Sequence, residues 1–179
     1  IMRLVDRTAA IARHLREVAR KPDAPLADVD LAEAVREALA VAGPRLDAVG
    51  ASVEVDVAGT VRAGPVRLQQ VLVNLLTNAA DAVEGLPERR VLVTARAQGD
   101  RITLAVEDSG PGVPPAIADR VFEPFFTTKG VGAGLGLGLS ISYNIVRDFG
   151  GELAVGRAET GGASFAVTLD AAPAREAAA

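Results

Sequence analysis

The sequence predicts an α/β sandwich in which helices cover one face of a mixed β-sheet. Two observations predict this fold class: segments with helical periodicity alternate with strand-like segments, and two of the strands are joined directly as a hairpin. The chain has 179 residues, of which 49% are hydrophobic, and this is enough for one domain with a helical extension. We therefore expect a globular domain with a buried core.

The first elements of the chain are predicted to be helical. Residues 2–20 carry apolar side chains at helical spacing between charged ones, which predicts one amphipathic helix. Pro22 and Pro25 end that helix, and a second helix is predicted from Asp30 to about Val49. The predicted organisation is a helix at 1–21, a linker at 22–28, a main domain at 29–171 and a disordered tail at 172–179.

The main domain continues with alternating strands and helices. Gly99 and Asp100 lie between two strand-like segments and predict the turn of a hairpin. Residues 109–138 hold most of the excess of glycine and proline and show little periodicity. Strands are predicted at 51–57, 91–97, 102–107, 152–156 and 164–169, and helices at 65–84 and 139–149.

The composition excludes several classes of protein. Without cysteine the chain forms no disulfide, thiolate nucleophile or Cys/His zinc site, and its single histidine, His14, lies far from any candidate serine motif. Neither Lys21 nor Lys129 precedes Ser or Thr, so the phosphate-binding sequence GxxxxGK[ST] is absent. A net charge of −4 argues against a nucleic-acid or anionic-membrane binder, and no apolar stretch in the sequence is long enough to span a bilayer.

The helix predicted at 65–84 has an unusual polar face. Its apolar residues form a core-facing stripe, and opposite them Gln70, Asn74, Asn78 and Asp81 fall within about 80° of one another. A solvated face is one interpretation, but asparagine is a mediocre residue inside a helix, and Glu, Lys or Arg would suit water better. Two asparagines one turn apart suit a hard cation that keeps phosphates and waters around it, as Mg²⁺ does.

A carboxylate is predicted at the end of a buried strand face. Ile102, Leu104 and Val106 have the same parity as Asp108, which is followed by Ser-Gly-Pro-Gly. A buried carboxylate costs several kcal/mol unless it has a partner. Asp108 either caps the turn through backbone N–H groups or accepts a hydrogen bond from the amino group of a ligand that the glycines allow to approach.

A glycine-rich segment precedes the last predicted helix. From Gly130 to Gly138 glycine occupies every second position, and glycine-rich backbone at a helix N-terminus can hold phosphate. A flexible linker is the alternative, but the interleaved leucines indicate that the segment docks on an apolar surface. Residues 121–129 contain three of the five phenylalanines, so we interpret the two segments together as a hinged lid.

Four motifs resemble, in the right order, the nucleotide-binding boxes of the sensor histidine kinases, which share a superfamily with DNA gyrase, Hsp90 and MutL. QQVLVNLLTNAADAV resembles the N box, EDSGPGVPP the first glycine box, VFEPFFTTK the F box and GLGLGLSISYNIV the second glycine box. The first helix and the closing segments GGELAV and GGASFAVTL are also similar to the family, and the first helix with SYNIVRDFGG resembles the C4-dicarboxylate-sensing group. The resemblance implies a Bergerat-type α/β sandwich, preceded by the second helix of a dimerisation hairpin.

The resemblance also implies which residues bind ATP and Mg²⁺. Asn78 would ligate Mg²⁺, Asn74 would assist at the phosphates, and Asp108 would receive the adenine amino group. Ser164 falls near a threonine of the family that binds adenine through water, and Lys129 would contact the phosphates as the lid closes. The other implied residues of the ATP site are Asp81, Gly110, Gly112, Thr127, Thr128, Gly134, Leu135, Gly136, Leu137, Gly138 and Leu139. Asn74, Asn78 and Lys129 are the implied catalytic residues.

The sequence departs from the family at three positions. His14 is followed by Leu-Arg-Glu rather than by an acidic residue, and it falls on the second dimerisation helix, so the acceptor histidine is expected upstream of Ile1 in a longer protein. Asp81 occupies a position where some kinase groups carry a basic phosphate contact, and Ala133 occupies one that is often lysine in similar sequences. Lys129 is therefore the only lysine expected in the lid.

The resemblance implies transfer of the γ-phosphoryl group of ATP to a histidine outside this chain. The implied partners are the upstream dimerisation and phosphoacceptor helices and a cognate response regulator, in a membrane-anchored homodimer whose catalytic domain is cytoplasmic. One alternative is a same-fold ATPase or anti-sigma-type protein-serine kinase, against which the FEPFFTTK segment and the N-terminal helix argue. A non-catalytic nucleotide-binding or dimerisation module is the other alternative.

Overall fold

A computed structural model of the protein describes residues 25–128 and 136–173. These ranges contain three α-helices, seven β-strands and a 3₁₀ helix at Pro115–Arg120. The helices are α1 (Leu31–Val49), α2 (Pro65–Val83) and α3 (Gly138–Asp148). The strands are β1 (Ala27–Asp30), β2 (Ser52–Asp56), β3 (Thr60–Ala63), β4 (Arg90–Gln98), β5 (Arg101–Asp108), β6 (Glu152–Arg157) and β7 (Ala163–Asp170).

The main sheet has five strands in the order β2-β4-β5-β7-β6. Strand β2 runs parallel to β4, and the other neighbours are antiparallel, so the sheet is mixed as predicted. The β4–β5 hairpin turns at Gly99 and Asp100, where the sequence predicts the turn. Strands β1 and β3 pair with each other as a separate antiparallel ribbon.

Helices cover one face of the sheet. In β5 every second side chain is buried, namely Ile102, Leu104, Val106 and Asp108, while the residues between them are half-buried. The apolar stripe of α2 packs over this face, and all eight of its residues are buried as the periodicity predicts. These residues are Leu68, Val71, Leu72, Leu75, Leu76, Ala79, Ala80 and Val83. The α/β sandwich predicted from the sequence is therefore confirmed.

Helix α1 packs along α2 and has a local signal at each end. Asp30 caps its N-terminus, accepting a hydrogen bond from the backbone N–H of Glu33 at 2.9 Å, and Gly50 ends it in the left-handed conformation with φ 68°. The helix continues through Pro44, which is exposed. The predicted boundaries of this helix are thus confirmed to within one residue.

Three elements were not predicted: β1, β3 and the 3₁₀ helix. Strand β1 begins at Ala27, so it overlaps the last residues of the linker predicted at 22–28. The helix predicted at 2–20 lies outside the described residues, as does the tail from residue 174 onwards. Within the described ranges, no helix combines the length and the apolar character that crossing a membrane requires.

Candidate functional site

Asn74 and Asn78 lie one turn apart on α2, and both are half-buried. The side-chain amide of Asn74 donates to the hydroxyl of Ser142 on α3, with 2.9 Å between Nδ2 and Oγ. A Cβ at Gly138, the first residue of α3, would overlap the side-chain oxygen of Asn74 and would lie 2.9 Å from its Cγ. The backbone at the N-terminus of α3 therefore reaches the polar face of α2 because residue 138 is glycine.

Asp81 lies further along α2, and its carboxylate pairs with Arg45 of α1. Its Oδ1 accepts from Nε of Arg45 at 3.0 Å and from Nη2 at 2.8 Å, and Nη2 also bonds Glu84 at 2.8 Å. Hydrogen bonds that Arg45 donates to Glu84 and Asp81 raise the pKa of this guanidinium above its ordinary value. The ion pair links Asp81 to α1, and the position in the ATP site that the resemblance implies for Asp81 stays a prediction.

Asp108 ends β5 on the helix-covered face, and its side chain is only 2% exposed. The backbone N–H groups of Gly110 and Ala163 donate to Oδ1 at 2.8 and 3.3 Å, and the described residues leave Oδ2 without a hydrogen bond. Burial raises the pKa of this carboxyl, and the two backbone hydrogen bonds offset part of that rise. Both interpretations of the sequence are thus compatible here: Oδ1 caps the turn, and Oδ2 can accept from a ligand.

Glycines surround Asp108 at close range. A Cβ on Gly110 would lie 2.8 Å from the backbone oxygen of Ala82 on α2, and one on Gly162 would overlap both the carbonyl and the carboxylate of Asp108. Gly112, with φ 75°, would bring a Cβ within 3.2 Å of the oxygen of Gly162. The turns around Gly110 and Gly162 therefore interlock at distances that no side chain permits, and they enclose Oδ1 of Asp108.

The hydroxyls of Ser164 and Thr160 bond different residues of β5. The hydroxyl of Ser164 donates to Glu107 at 3.1 Å on the open face of the sheet, because residues 107 and 164 face each other in the β5–β7 register and have the opposite parity to Asp108. The hydroxyl of Thr160 donates to the backbone oxygen of Asp108 at 2.6 Å. The contact with adenine that the resemblance implies for Ser164 stays a prediction.

The F-box segment packs against α3 through aromatic rings. Phe122 stacks on Tyr143 with 5.3 Å between ring centroids, and the guanidinium of Arg120 lies 4.7 Å from the ring centroid of Phe126. The backbone N–H of Phe125 donates to the oxygen of Gly136 at 2.9 Å, and Gly136 has φ 66°. This segment therefore holds the chain at the point where the predicted lid leads into α3.

The remaining residues predicted for the ATP site fall into three groups. Thr127 and Thr128 are exposed after the F-box segment. Leu137 is 6% exposed and Leu139 is half-buried against the core, which agrees with docking of the interleaved leucines on an apolar surface. Lys129, Gly134 and Leu135 lie outside the described residues.

The contacts of Asn74 and of Asp108 lie at different positions along α2. Asn74 meets the start of α3, and Ala82, eight residues later, meets the glycine turn after Asp108, about 12 Å away along the helix. No side chain in the described ranges caps the N-terminus of α3, so its first backbone N–H groups can bind an anion. The site therefore offers an acceptor for an amino group at one end and donors for an anion at the other.

Five residues that contribute to this site were not predicted from the sequence. Arg45, Ser142, Thr160, Gly162 and Ala163 all act through contacts with residues distant in the chain. The Gly161-Gly162 pair between two strands was a signal for a close backbone approach, whereas the others carry no local signal that distinguishes them.

Comparison with known proteins identifies the family. A family described as "Histidine kinase-, DNA gyrase B-, and HSP90-like ATPase" matches residues 63–173. The C4-dicarboxylate transport sensor protein DctB of Pseudomonas aeruginosa is 41% identical over 164 residues, which cover 89% of this chain and 27% of that protein. The predicted resemblance to the C4-dicarboxylate-sensing group is thereby confirmed, and the chain spans about a quarter of that relative's length.

Two solved structures have the same fold. The Mycobacterial sensor histidine kinase MprB is 29% identical with a TM-score of 0.73, over 82% of this chain and 99% of that one. Full-length ShkA in complex with AMPPNP is 32% identical with a TM-score of 0.77, over 92% of this chain and 35% of that one. From the family match, the relatives and the fold, the chain belongs to the histidine kinase-, DNA gyrase B- and HSP90-like ATPase family and carries an ATP-binding catalytic domain of the sensor histidine kinase type.

Proposed function

We propose that this chain binds ATP with Mg²⁺ and transfers the γ-phosphoryl group to a histidine on a phosphoacceptor helix outside the chain. The observation that carries the proposal is the buried carboxylate of Asp108, whose Oδ1 accepts from two backbone N–H groups while the described residues leave Oδ2 without a hydrogen bond. Family membership supports ATP as the ligand. His14 is not expected to be the acceptor, because Leu15, and not an acidic residue, follows it directly.

Asp108 would recognise the adenine end of the nucleotide. Its Oδ2 can accept a hydrogen bond from the exocyclic amino group. Gly110 and Gly112 are the residues that the resemblance implies for the approach of the base. Thr160 and Ala163 hold the carbonyl and Oδ1 of the aspartate, and so fix the direction of the remaining oxygen. A carboxylate held in this way favours adenine over a base that offers a carbonyl at the same position.

The N-terminus of α3 and the asparagines of α2 would hold the triphosphate. The uncapped backbone N–H groups of α3 suit phosphate oxygens, and Lys129 with Gly134 and Gly136 would complete the contacts. Asn78 would ligate Mg²⁺ through its neutral amide oxygen, and the metal would neutralise charge that develops on the transferred group. The protein would contribute chiefly by positioning the nucleotide, because in-line phosphoryl transfer depends on alignment and charge neutralisation more than on covalent catalysis.

Binding can be tested with single substitutions and a matched control. Asn78→Ala is expected to remove the Mg²⁺-dependent part of the ATP affinity, measured by calorimetric titration with and without Mg²⁺. Asn144, on α3, is the third asparagine of the chain and is exposed, so Asn144→Ala should bind like the parent. Equal Mg²⁺ dependence in Asn78→Ala and in the parent would contradict the proposed metal site.

Phosphoryl transfer needs a separate experiment with ATP labelled at the γ-phosphate. We expect the chain alone to label itself barely, and to label a separately supplied phosphoacceptor hairpin in an acid-labile form. Acid-labile label on His14, lost in His14→Gln, would contradict the proposed location of the acceptor. Steady hydrolysis of ATP without any transfer would instead favour a same-fold ATPase.

The wider context of the chain is part of the same proposal. Its similarity to the DctB sensor supports a two-component system in which a cognate response regulator receives the phosphoryl group. The same similarity supports a homodimeric, membrane-anchored full-length protein whose catalytic domain is cytoplasmic. Transfer of label from the phosphorylated hairpin to an aspartate of a response regulator would test this step.

A further inference from the structure

The side chain of Asn74 is held between two residues of α3. Its Nδ2 donates to Oγ of Ser142 at 2.9 Å, and its Oδ1 lies against the backbone of Gly138. Gly138 and Ser142 are one helical turn apart, so they lie on the same face of α3. Together they form a two-point seat for the amide, which we call the Asn74 seat.

The hydroxyl of Ser142 is buried, and it accepts a hydrogen bond from Asn74. Its side chain is 1% exposed, and a buried hydroxyl needs a partner. Ser140, on the same helix and 2% exposed, donates instead to the backbone oxygen of Leu137 at 2.9 Å and has no part in the seat. The two serines therefore have the same chemistry and burial but different partners.

We propose that Ser142 is a positioning residue that acts through Asn74, an inference that rests on the proposed function. By accepting from Nδ2 it fixes the amide with Oδ1 against the backbone of Gly138, at the N-terminus of α3. The seat also holds the start of α3 against the turn of α2 that leads to Asn78. The phosphate-binding backbone and the metal-binding amide thereby keep a fixed distance from each other.

A double-mutant cycle on the binding of Mg·ATP tests this proposal. Ser142→Ala removes the acceptor without adding bulk and is expected to weaken binding about three- to tenfold, the range of one hydrogen bond. In the Asn74→Ala background the same substitution should have no further effect on binding, because the amide through which Ser142 acts has already been removed. Ser140→Ala is the matched control, and its effect should add to that of Asn74→Ala.

The outcomes separate this proposal from the proposed function. Failure of the parent to bind Mg·ATP would overturn both, whereas a parent that binds with Ser142→Ala binding equally well would overturn only the role of Ser142. A loss of affinity in Ser142→Ala that adds to the loss in Asn74→Ala would also overturn the role of Ser142, since additive effects are expected of a residue that acts independently of Asn74. If Ser142→Ala does not fold, Ser142→Cys serves in its place, because a thiol is a weak acceptor.

Discussion

At Asp108, stability and binding make opposite demands on a single side chain. Burial raises its folded pKa above its ordinary value of 3.8, so the folded protein holds this proton more tightly than the unfolded chain does. The group supports folding fully below its unfolded pKa, and that support is lost as the pH rises through the higher folded pKa. As the pH rises through the folded pKa, ionisation of the buried carboxyl therefore opposes folding, while its charge serves the proposed recognition of adenine.

Asp108→Asn should separate these two effects. The amide oxygen keeps an acceptor for Gly110 and Ala163 but carries no charge, so we expect a melting temperature at pH 7.5 equal to or above that of the parent. The difference should shrink towards zero near pH 4, as circular dichroism at both pH values would show. ATP affinity is expected to fall about tenfold or more, since a hydrogen bond to a charged acceptor contributes about 1.5–3 kcal/mol. A lower melting temperature than the parent's at pH 7.5 would count against this account.

Gly162→Ala tests the interlocked glycine turns. The added Cβ would overlap the carbonyl of Asp108, which is backbone and cannot turn away, so we expect a loss of about 1–3 kcal/mol of stability. Gly156 has no atom within 4 Å of the position of its Cβ, and Gly156→Ala is therefore a fair control that should change little. Chemical denaturation of both variants measures the difference, and equal stability would show that the turns can separate.

At the scale of elements, α1 offers a prediction about helix propensity. Gly43 is inside α1 and a Cβ there meets nothing within 4 Å, so Gly43→Ala should stabilise the protein by about 0.5–1 kcal/mol. Gly50 ends the same helix at φ 68°, and Gly50→Ala should destabilise it instead. Urea denaturation measures both changes, and the same sign for both would contradict the conformational explanation.

Elements with a strong internal pattern could be predicted, and short elements could not. Helix α2 shows its whole apolar stripe in the sequence, and β5 shows its alternation up to Asp108. Strands β1 and β3 have four residues each and pair with each other, with Ala27 opposite Ala63, and Val61 of β3 also forms a bridge to Ala171. Their existence therefore depends on contacts with residues that are distant in the chain. A pattern within four residues is too short to reveal such a partner.

The candidate site was predictable to a similar degree. The positions of Asn74 and Asp108 followed from periodicity and parity, which are local properties. The partner of Asp81 and the orientation of Ser164 depend on how α1 and β7 pack against their neighbours. Tertiary packing, which no local pattern encodes, therefore decides these contacts.

At the scale of the whole molecule, the site draws on α2, β5, β7 and α3 together. Ligand binding should therefore stabilise one cooperative unit, by about 2.7 kcal/mol at a concentration of Mg·ATP one hundred times its dissociation constant. The chain has no tryptophan and one tyrosine, Tyr143, which stacks on Phe122 beside the site. Tyrosine fluorescence and far-ultraviolet circular dichroism should give coincident unfolding curves that shift equally with ligand. Separate transitions would show that α3 unfolds on its own.

The two faces of the sheet also make the protein convenient to label. Asn74 and Asp108 of the proposed ATP site lie on the helix-covered side, while Thr94 on β4 has the parity of the open face and is half-buried there. Since the sequence contains no cysteine, Thr94→Cys would create a single thiol for a fluorophore or spin label. A reporter attached there would follow the motion of the domain relative to its partners without entering the nucleotide site.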